Sequence, residues 1–329
     1  MAYWDAYNSD DSGSDSASES SSNSSFEDED EVNARCCPNW DLHRGPLLRH
    51  GFHLDTVKDV KQFYERYWSS SGMKTQPVAE YSRACSSDDE DALCKDPGLP
   101  DNLFRGHRVS DGTRIVVKAV HIRSRELAVT RLLSTPPLRD DPMNHCIPVL
   151  DLVEVPECHI AFIVMEEWSS QLIPDTPCCL RLFLGALRSC IEHTAFMHMH
   201  DICHLDISLR NLVTDYKCHY ASIDFELSRC YDGIRHPRIR SARGTEVPPE
   251  LERGEWSDPF KVDIYALGVL ILKACDLTGY LVQELILLTA PMLYEDYTQR
   301  PTAAAVLKRF DGLVAAMDDA RLEECSSLV

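Results

Sequence analysis

The sequence predicts an α+β protein in which a small sheet-rich lobe is followed by a larger helical lobe. Short extended segments are concentrated between residues 103 and 167, where the pair Asp111-Gly112 separates two runs that favour strands. Beyond Pro174 the apolar residues recur at helical spacing in long segments. Strands first and helices afterwards are typical of this class. The 329 residues, 44% of them hydrophobic, are enough to form a packed core in each lobe.

Two segments that precede the sheet have a different composition. Residues 1–33 consist mainly of Ser, Asp and Glu, so we expect a disordered acidic tail. Residues 34–102 form an extension of the first lobe, in which Val57, Val60, Phe63 and Tyr67 have the spacing of an amphipathic helix. Within this extension, residues 69–101 are polar and acidic, which predicts an exposed insertion or linker. The two-lobed domain then covers residues 103–329, with the boundary between its lobes near residue 167.

Charge and cysteine usage exclude several classes of protein. The net charge of −20 argues against a nucleic-acid binder and against a protein that binds anionic membranes. No secretory signal and no apolar run of about 20 residues is present, so no membrane association is expected. The 14 cysteines show neither CxxC pairs nor a regular spacing, which indicates free thiols in a reducing compartment. We therefore expect an intracellular protein, cytoplasmic or nuclear, of undetermined oligomeric state.

A lysine stands inside an apolar strand segment. Lys118 lies in the run Ile-Val-Val-Lys-Ala-Val, where an ammonium group is costly unless a charged partner meets it. Glu126, on the next predicted helix, is the available partner. The alternative for this motif alone is an edge strand whose lysine points into water.

A second group of polar residues has the composition that phosphoryl transfer requires. The run His-Leu-Asp-Ile-Ser-Leu-Arg-Asn contains Asp206, Arg210 and Asn211, and Ile-Asp-Phe-Glu contains Asp224. The reaction needs a carboxylate that orients the attacking hydroxyl, a cation near the phosphoryl group and oxygen ligands for Mg²⁺. The spacing of 18 positions from Asp206 to Asp224 would accommodate two antiparallel strands after a catalytic loop.

These motifs resemble those of the eukaryotic protein-kinase superfamily over about residues 103–311, and the Asp-Ile-Ser variant resembles a kinase-like branch expanded in fungi. Lys118 stands at the lysine of V-A-I-K, residues 204–211 match H-R-D-L-x-x-x-N, and residues 224–226 stand at D-F-G. Further along, residues 244–250, Gly-Thr-Glu-Val-Pro-Pro-Glu, resemble the end of an activation segment. Asp263 and Arg300 match an aspartate and an arginine of the family's helical lobe. In the family, that arginine pairs with the glutamate at Glu250. The resemblance implies a bilobal kinase fold with an antiparallel-sheet N-lobe and a helical C-lobe.

The resemblance also implies an ATP-dependent protein kinase that transfers the γ-phosphoryl group to a Ser or Thr hydroxyl of an unknown protein substrate. The implied roles are ATP binding by Lys118, Glu126 and Met165, catalysis by Asp206 and Arg210, and Mg²⁺ binding by Asn211 and Asp224. Several arginines of the implied activation segment suggest a preference for acidic substrates: Arg229, Arg235, Arg238, Arg240 and Arg243. The acidic tail is complementary in charge to them.

Departures from the family pattern leave two other functions open. No G-x-G-x-x-G precedes Lys118, Leu205 replaces the arginine of H-R-D, and Glu226 replaces the glycine of D-F-G. These differences are compatible with a pseudokinase scaffold that binds nucleotide weakly or not at all. The Ile-Asp-Phe-Glu motif also resembles the one found in small-molecule phosphotransferases of the choline and aminoglycoside type, so phosphorylation of a small molecule is the other alternative.

Overall fold

The computed structural model describes residues 32–71, 78–169, 179–241 and 243–324. Residues 1–31 of the predicted acidic tail lie outside the described residues. The first half of the described chain is organised around an antiparallel sheet of five strands: β1 Phe52–Leu54, β2 Leu103–Arg108, β3 Arg114–His121, β4 Val149–Val155 and β5 Ile160–Glu166. Their order in the sheet is β1-β2-β3-β5-β4. A helix, α4 (Arg125–Leu133), lies between β3 and β4 in the chain.

The hairpin between β2 and β3 forms where the Asp-Gly pair predicts it. Gly112 adopts a positive φ of 75°, which a glycine reaches without steric cost. The Asp111 carboxylate accepts hydrogen bonds from the backbone N–H and the hydroxyl of Thr113, and this fixes the turn. The register that results places Lys118 opposite Leu103 on one side and Ile163 on the other, so the lysine lies in an interior strand of the sheet.

The described residues of the extension, 34–71 and 78–102, form three helices in addition to β1: α1 (Trp40–Arg49), α2 (Val57–Ser71) and α3 (Ala79–Cys85). The predicted amphipathic helix is present as α2, and its residues Val57 and Val60 are buried against Ala84 and Cys94. The prediction that residues 69–101 form an exposed linker is therefore wrong for part of that range.

Ion pairs with a strand of the sheet explain why part of this segment is packed and not exposed. Arg105 of β2 forms ion pairs with Glu80 of α3 and with Asp96. The Tyr64 hydroxyl of α2 donates a second hydrogen bond to Glu80, at 2.9 Å. Glu80 and Asp96 are therefore partners of Arg105, although their sequence neighbourhood is typical of a solvated linker. These ion pairs allow α3 and the residues after it to pack against the sheet.

The second half of the described chain is mainly helical. Its helices are α5 Leu180–Met199, α6 Pro249–Glu252, α7 Pro259–Thr278, α8 Gln283–Thr289, α9 Ala303–Ala315 and α10 Asp319–Leu322. The long helices α5 and α7 pack with α8 and α9 around a core that includes Leu184, Ile191, Leu267 and Phe310. Four short strands form two antiparallel pairs, β6 (Ile202–Cys203) with β9 (Arg229–Cys230) and β7 (Leu212–Thr214) with β8 (Tyr220–Ser222).

The α+β class with an antiparallel sheet is confirmed. None of the helices formed by the described residues has the length and apolar character needed to cross a membrane. The cysteines within the described ranges are all free thiols, as their spacing predicts.

Candidate functional site

Lys118 binds two carboxylates at once. Its Nζ donates to Glu126 Oε1 at 2.6 Å and to Asp224 Oδ1 at 2.8 Å, and its side chain is only 10% exposed. Burial by itself would lower the pKa of Lys118, but the charges of Glu126 and Asp224 outweigh burial and hold the pKa above its usual value. The lysine is therefore charged at neutral pH. The edge-strand alternative is excluded by the interior position of β3.

Glu126 reaches the lysine from the first turn of α4. The Ser124 hydroxyl caps this helix by accepting the N–H of Leu127 at 3.2 Å. A second side chain, that of Asn33, accepts the N–H of Arg125 at 2.9 Å. These two caps hold the start of α4, and with it Glu126, against the sheet.

The hairpin β7–β8 brings the two predicted Mg²⁺ ligands to one end of a short ladder. Leu212 pairs with Ser222, and the Ile223 N–H donates to the carbonyl of Asn211 at 3.0 Å. Asn211 directly precedes β7, whereas Asp224 is the second residue after the end of β8. The spacing of 18 residues between Asp206 and Asp224 thus accommodates two antiparallel strands, as predicted.

Asp224 has an unusual backbone and a stabilised charge. Its φ of 64° lies in the left-handed region, where residues other than glycine are uncommon and where strain often accompanies function. Burial would raise the pKa of Asp224, but the adjacent Lys118 ammonium lowers it below its usual value. Asp224 is therefore an ionised carboxylate, which suits both a cation partner and a metal ion.

Asp206 lies in the loop before β7 and accepts hydrogen bonds on both carboxylate oxygens. Asn211 Nδ2 donates to Oδ2 at 2.7 Å, and the backbone N–H of Thr245 donates to Oδ1 at 2.6 Å. The second contact requires the chain at Gly244 to run close to the Leu205 carbonyl, because a Cβ at Gly244 would lie 2.6 Å from that oxygen. Arg210 is exposed on the 3₁₀ turn Leu209–Asn211, next to this pair.

Asp263 of α7 holds the backbone of the loop that contains Asp206. Its Oδ2 accepts the N–H of His204 at 2.8 Å and its Oδ1 accepts the N–H of Leu205 at 2.7 Å. Leu205 has a φ of 63°, and the two hydrogen bonds compensate for that strained conformation. The buried carboxylate also accepts from His198 Nε2 at 3.0 Å. Asp263 is thus a positioning residue for Asp206.

A cleft of about 630 Å³ lies beside the Lys118 cluster. Four predicted site residues line it, namely Lys118, Glu126, Met165 and Asp224. The other three predicted site residues, Asp206, Arg210 and Asn211, are not among its lining residues. The volume is in the range of ordinary small-molecule pockets.

The residues of the cleft that were not predicted as site residues include two from the long connection between β1 and β2. They are Phe63 of α2 and Leu99. Phe63 has helical spacing with Val57 and Val60, and this pattern predicts a core residue. It is instead 37% exposed at the cleft. The only sign in the sequence that Phe63 could lie at a binding surface was a large apolar residue in a helix rich in charged residues.

A network of arginines holds the extension at the rim of the cleft. Arg105 and Arg114 both donate to the carboxylate of Glu167, at 2.6 and 3.1 Å. Arg114 also donates to Asp55 and stacks on the Phe63 ring, with 4.7 Å between the guanidinium carbon and the ring centroid. The described part of the connection between β1 and β2 therefore packs against the sheet and forms one wall of the cleft.

The chemistry available at this site combines a buried ammonium, an ionised carboxylate that can bind a metal, and a hydrogen-bonded aspartate. Carboxylate and amide oxygens are the ligands that Mg²⁺ prefers, so Asp224 and Asn211 fit that ion by donor type. Such an arrangement can bind an anionic ligand together with a divalent cation. No protein-family model matches the chain.

Proposed function

We propose that the protein is an ATP-dependent protein kinase that phosphorylates Ser or Thr hydroxyls of a protein substrate. The observation that carries the proposal is Lys118, which pairs at once with Glu126 and with Asp224 at the wall of a cleft large enough for a nucleotide. The ammonium has three N–H donors, and because the two carboxylates take two of them, one is available for a phosphate oxygen.

The proposal gives each residue of the site one task. Met165 contributes to the apolar wall against the base, and Lys118, kept in position by Glu126, binds the phosphates. Asn211 and Asp224 would hold Mg²⁺, which supplies charge neutralisation at the phosphates. Asp206 orients the substrate hydroxyl and accepts its proton, and its hydrogen bonds to Asn211 and Thr245 keep the carboxylate oriented. Arg210 provides positive charge near the transferred group.

Features outside the cleft agree with the resemblance to the protein-kinase superfamily. Arg300 and Glu250 form a buried bidentate ion pair with distances of 2.7 and 2.8 Å. This is the pairing that the resemblance implies for these two positions. Arg235 and Arg238 are exposed in the segment between Asp224 and Glu250, so they are accessible to an acidic substrate.

The cleft wall favours one competing function, a pseudokinase scaffold. The connection between β1 and β2 stands where the family has its glycine-rich loop, and here it carries α2 and α3. A loop of glycines offers several backbone N–H groups to phosphates, whereas this wall contributes Phe63 and Leu99. In a scaffold the Lys118 cluster would have only a structural role.

A phosphate-transfer assay separates these functions. The wild-type full chain and its Asp206→Asn variant are each incubated with γ-labelled ATP, Mg²⁺ and an acidic Ser-containing peptide. We expect the variant to lose turnover while it retains ATP binding, because Asp206 acts on the hydroxyl and not on the nucleotide. The matched control is Asp201→Asn, since Asp201 is exposed nearby and its positive φ of 55° is tolerated by Asn. Equal turnover of wild type and Asp206→Asn would refute the kinase proposal.

A further inference from the structure

Two histidines and an aspartate converge beside the first two strands of the sheet. His53 of β1 lies directly opposite His107 of β2 in the antiparallel register, so both imidazoles project from the same face, with 5.0 Å between their ring centroids. Asp59, in the first turn of α2, brings a carboxylate to this pair, and its Oδ2 lies 3.5 Å from His53 Nδ1. One potential ligand atom from each of the three side chains lies within 4.8 Å of the other two.

One nitrogen of this cluster lacks the hydrogen bond that its burial requires. His53 Nδ1 is shielded from solvent although its side chain is only partly buried, and no described residue forms a hydrogen bond with it. The 3.5 Å to Asp59 Oδ2 exceeds the usual length of such a bond. Buried polar atoms are normally paired, so this nitrogen calls for a partner that the protein atoms do not supply. A metal ion between the imidazole and the carboxylate would supply it.

The other two ligands are already held in place. Asp59 Oδ2 accepts the N–H and the hydroxyl of Thr56, at 2.9 and 2.7 Å. Burial would raise the pKa of Asp59, but the hydrogen bonds from Thr56 and the nearby imidazoles lower it, so the carboxylate is charged. On the other side, the buried Asp55 contacts His107 Nδ1 at 3.2 Å. A carboxylate of this kind commonly orients the imidazole of a metal-binding histidine.

We propose that His53, Asp59 and His107 form a zinc site in which water takes the fourth position. Two imidazoles and one carboxylate suit Zn²⁺, whereas Mg²⁺ prefers oxygen ligands alone. A tetrahedral site with bonds of about 2.0–2.1 Å places its ligand atoms about 3.4 Å apart. The 3.5 Å between His53 Nδ1 and Asp59 Oδ2 already matches this separation, and rotation of the side chains closes the wider gaps.

The site links β1 and β2 to the helix that reaches the cleft. Phe63, one turn beyond Asp59 on the same face of α2, lines the cleft. Arg114 stacks on Phe63 and also donates to Asp55. Zinc binding would therefore fix the start of a helix that forms part of the cleft wall. This inference concerns the extension and β2 and does not depend on the proposed kinase activity.

Calorimetric titration of the chelator-treated full chain with Zn²⁺ measures the affinity of the site. We expect His53→Gln and Asp59→Asn each to weaken binding by about 100-fold or more, because each removes a ligand and the loss of an outer partner alone costs about 10–100-fold. The matched control is His50→Gln. His50 contacts the Asp151 carboxylate at 2.8 Å, but the described residues add no third ligand to that pair, so its loss should leave the affinity unchanged. Binding by His53→Gln at wild-type affinity would overturn the proposal.

Hydrogen exchange shows where the ion binds, which matters because exposed cysteines such as Cys158 and Cys218 can also bind Zn²⁺. With Zn²⁺ at 100 times its Kd, exchange in β1, in β2 and in the first turn of α2 should slow by about 100-fold, since these segments open only after the ion leaves. Asp59→Asn should lose this protection, and Mg²⁺ should give none to wild type. Wild-type protein without zinc-dependent protection in these segments, or with equal protection by Mg²⁺, would overturn the proposal even if a variant fails to fold.

Discussion

Glu250 and Arg300 form the least exposed ion pair among the described residues, and breaking it should destabilise the protein strongly. The side chain of Arg300 is 0% exposed and that of Glu250 2%. The guanidinium donates to both carboxylate oxygens, at 2.8 and 2.7 Å, and Ser257 Oγ donates to Oε1 at 2.8 Å. Glu250→Ala leaves a buried cation without its partner, and such a loss costs about 3–5 kcal/mol.

The matched control is a bidentate pair of the same chemistry at the surface. Arg253 donates to both oxygens of Glu255, but the two side chains are 44% and 54% exposed. Water can solvate either partner, so Glu255→Ala should cost less than about 1 kcal/mol. The comparison thus isolates the effect of burial.

Urea denaturation at equilibrium measures both variants. Glu250→Ala should lower the midpoint by about 1 M or more with an unchanged slope, whereas Glu255→Ala should leave it within a few tenths of 1 M of wild type. Equal shifts of the midpoint in the two variants would refute the argument that burial decides the strength of the pair.

Three further predictions follow from the site and the sheet. The hydrogen bond that His107 donates to the Asp55 carboxylate raises the pKa of His107 above its usual value of 6.5. The contribution of this pair to stability is therefore full below pH 6.5 and is lost as the pH rises through the higher folded pKa. His107→Gln should flatten the melting-temperature profile of the metal-free protein above pH 6.5, and an unchanged profile would contradict this. Asp224→Asn should weaken Mg²⁺-dependent ATP binding in calorimetry, whereas equal affinity with and without the carboxylate would exclude it as a metal ligand. Arg210→Ala should lower kcat by a larger factor than it changes nucleotide affinity, because its charge is needed most in the transition state; normal turnover in steady-state kinetics would contradict that role.

Local features of the site could be predicted from the sequence because each depends on residues close together in the chain. An ammonium inside an apolar strand requires a nearby carboxylate, and Glu126 lies eight residues beyond Lys118. The distance from Asp206 to Asp224 has room for one hairpin, and β7 and β8 form it. Turn chemistry at Asp111-Gly112 also acts over a few residues.

Contacts between distant segments could not be predicted in the same way. Glu80 is buried because Arg105 and Tyr64 bind it, but the composition around it is that of a solvated linker. Phe63 lines the cleft although its spacing indicates a core position. In both cases the outcome depends on how α2 and α3 pack on the sheet, which local periodicity does not specify.

The central claim, that the cleft beside Lys118 binds ATP with Mg²⁺, is tested most directly by a thermal-shift titration of the full chain. A ligand at 100 times its Kd stabilises the folded state by about 2.7 kcal/mol, which corresponds to a rise of several degrees in Tm. We predict such a rise with ATP and Mg²⁺ together and a smaller one with ATP alone, because Asn211 and Asp224 would then lack their cation. An unchanged Tm at millimolar ATP and Mg²⁺ would contradict the claim and favour the scaffold.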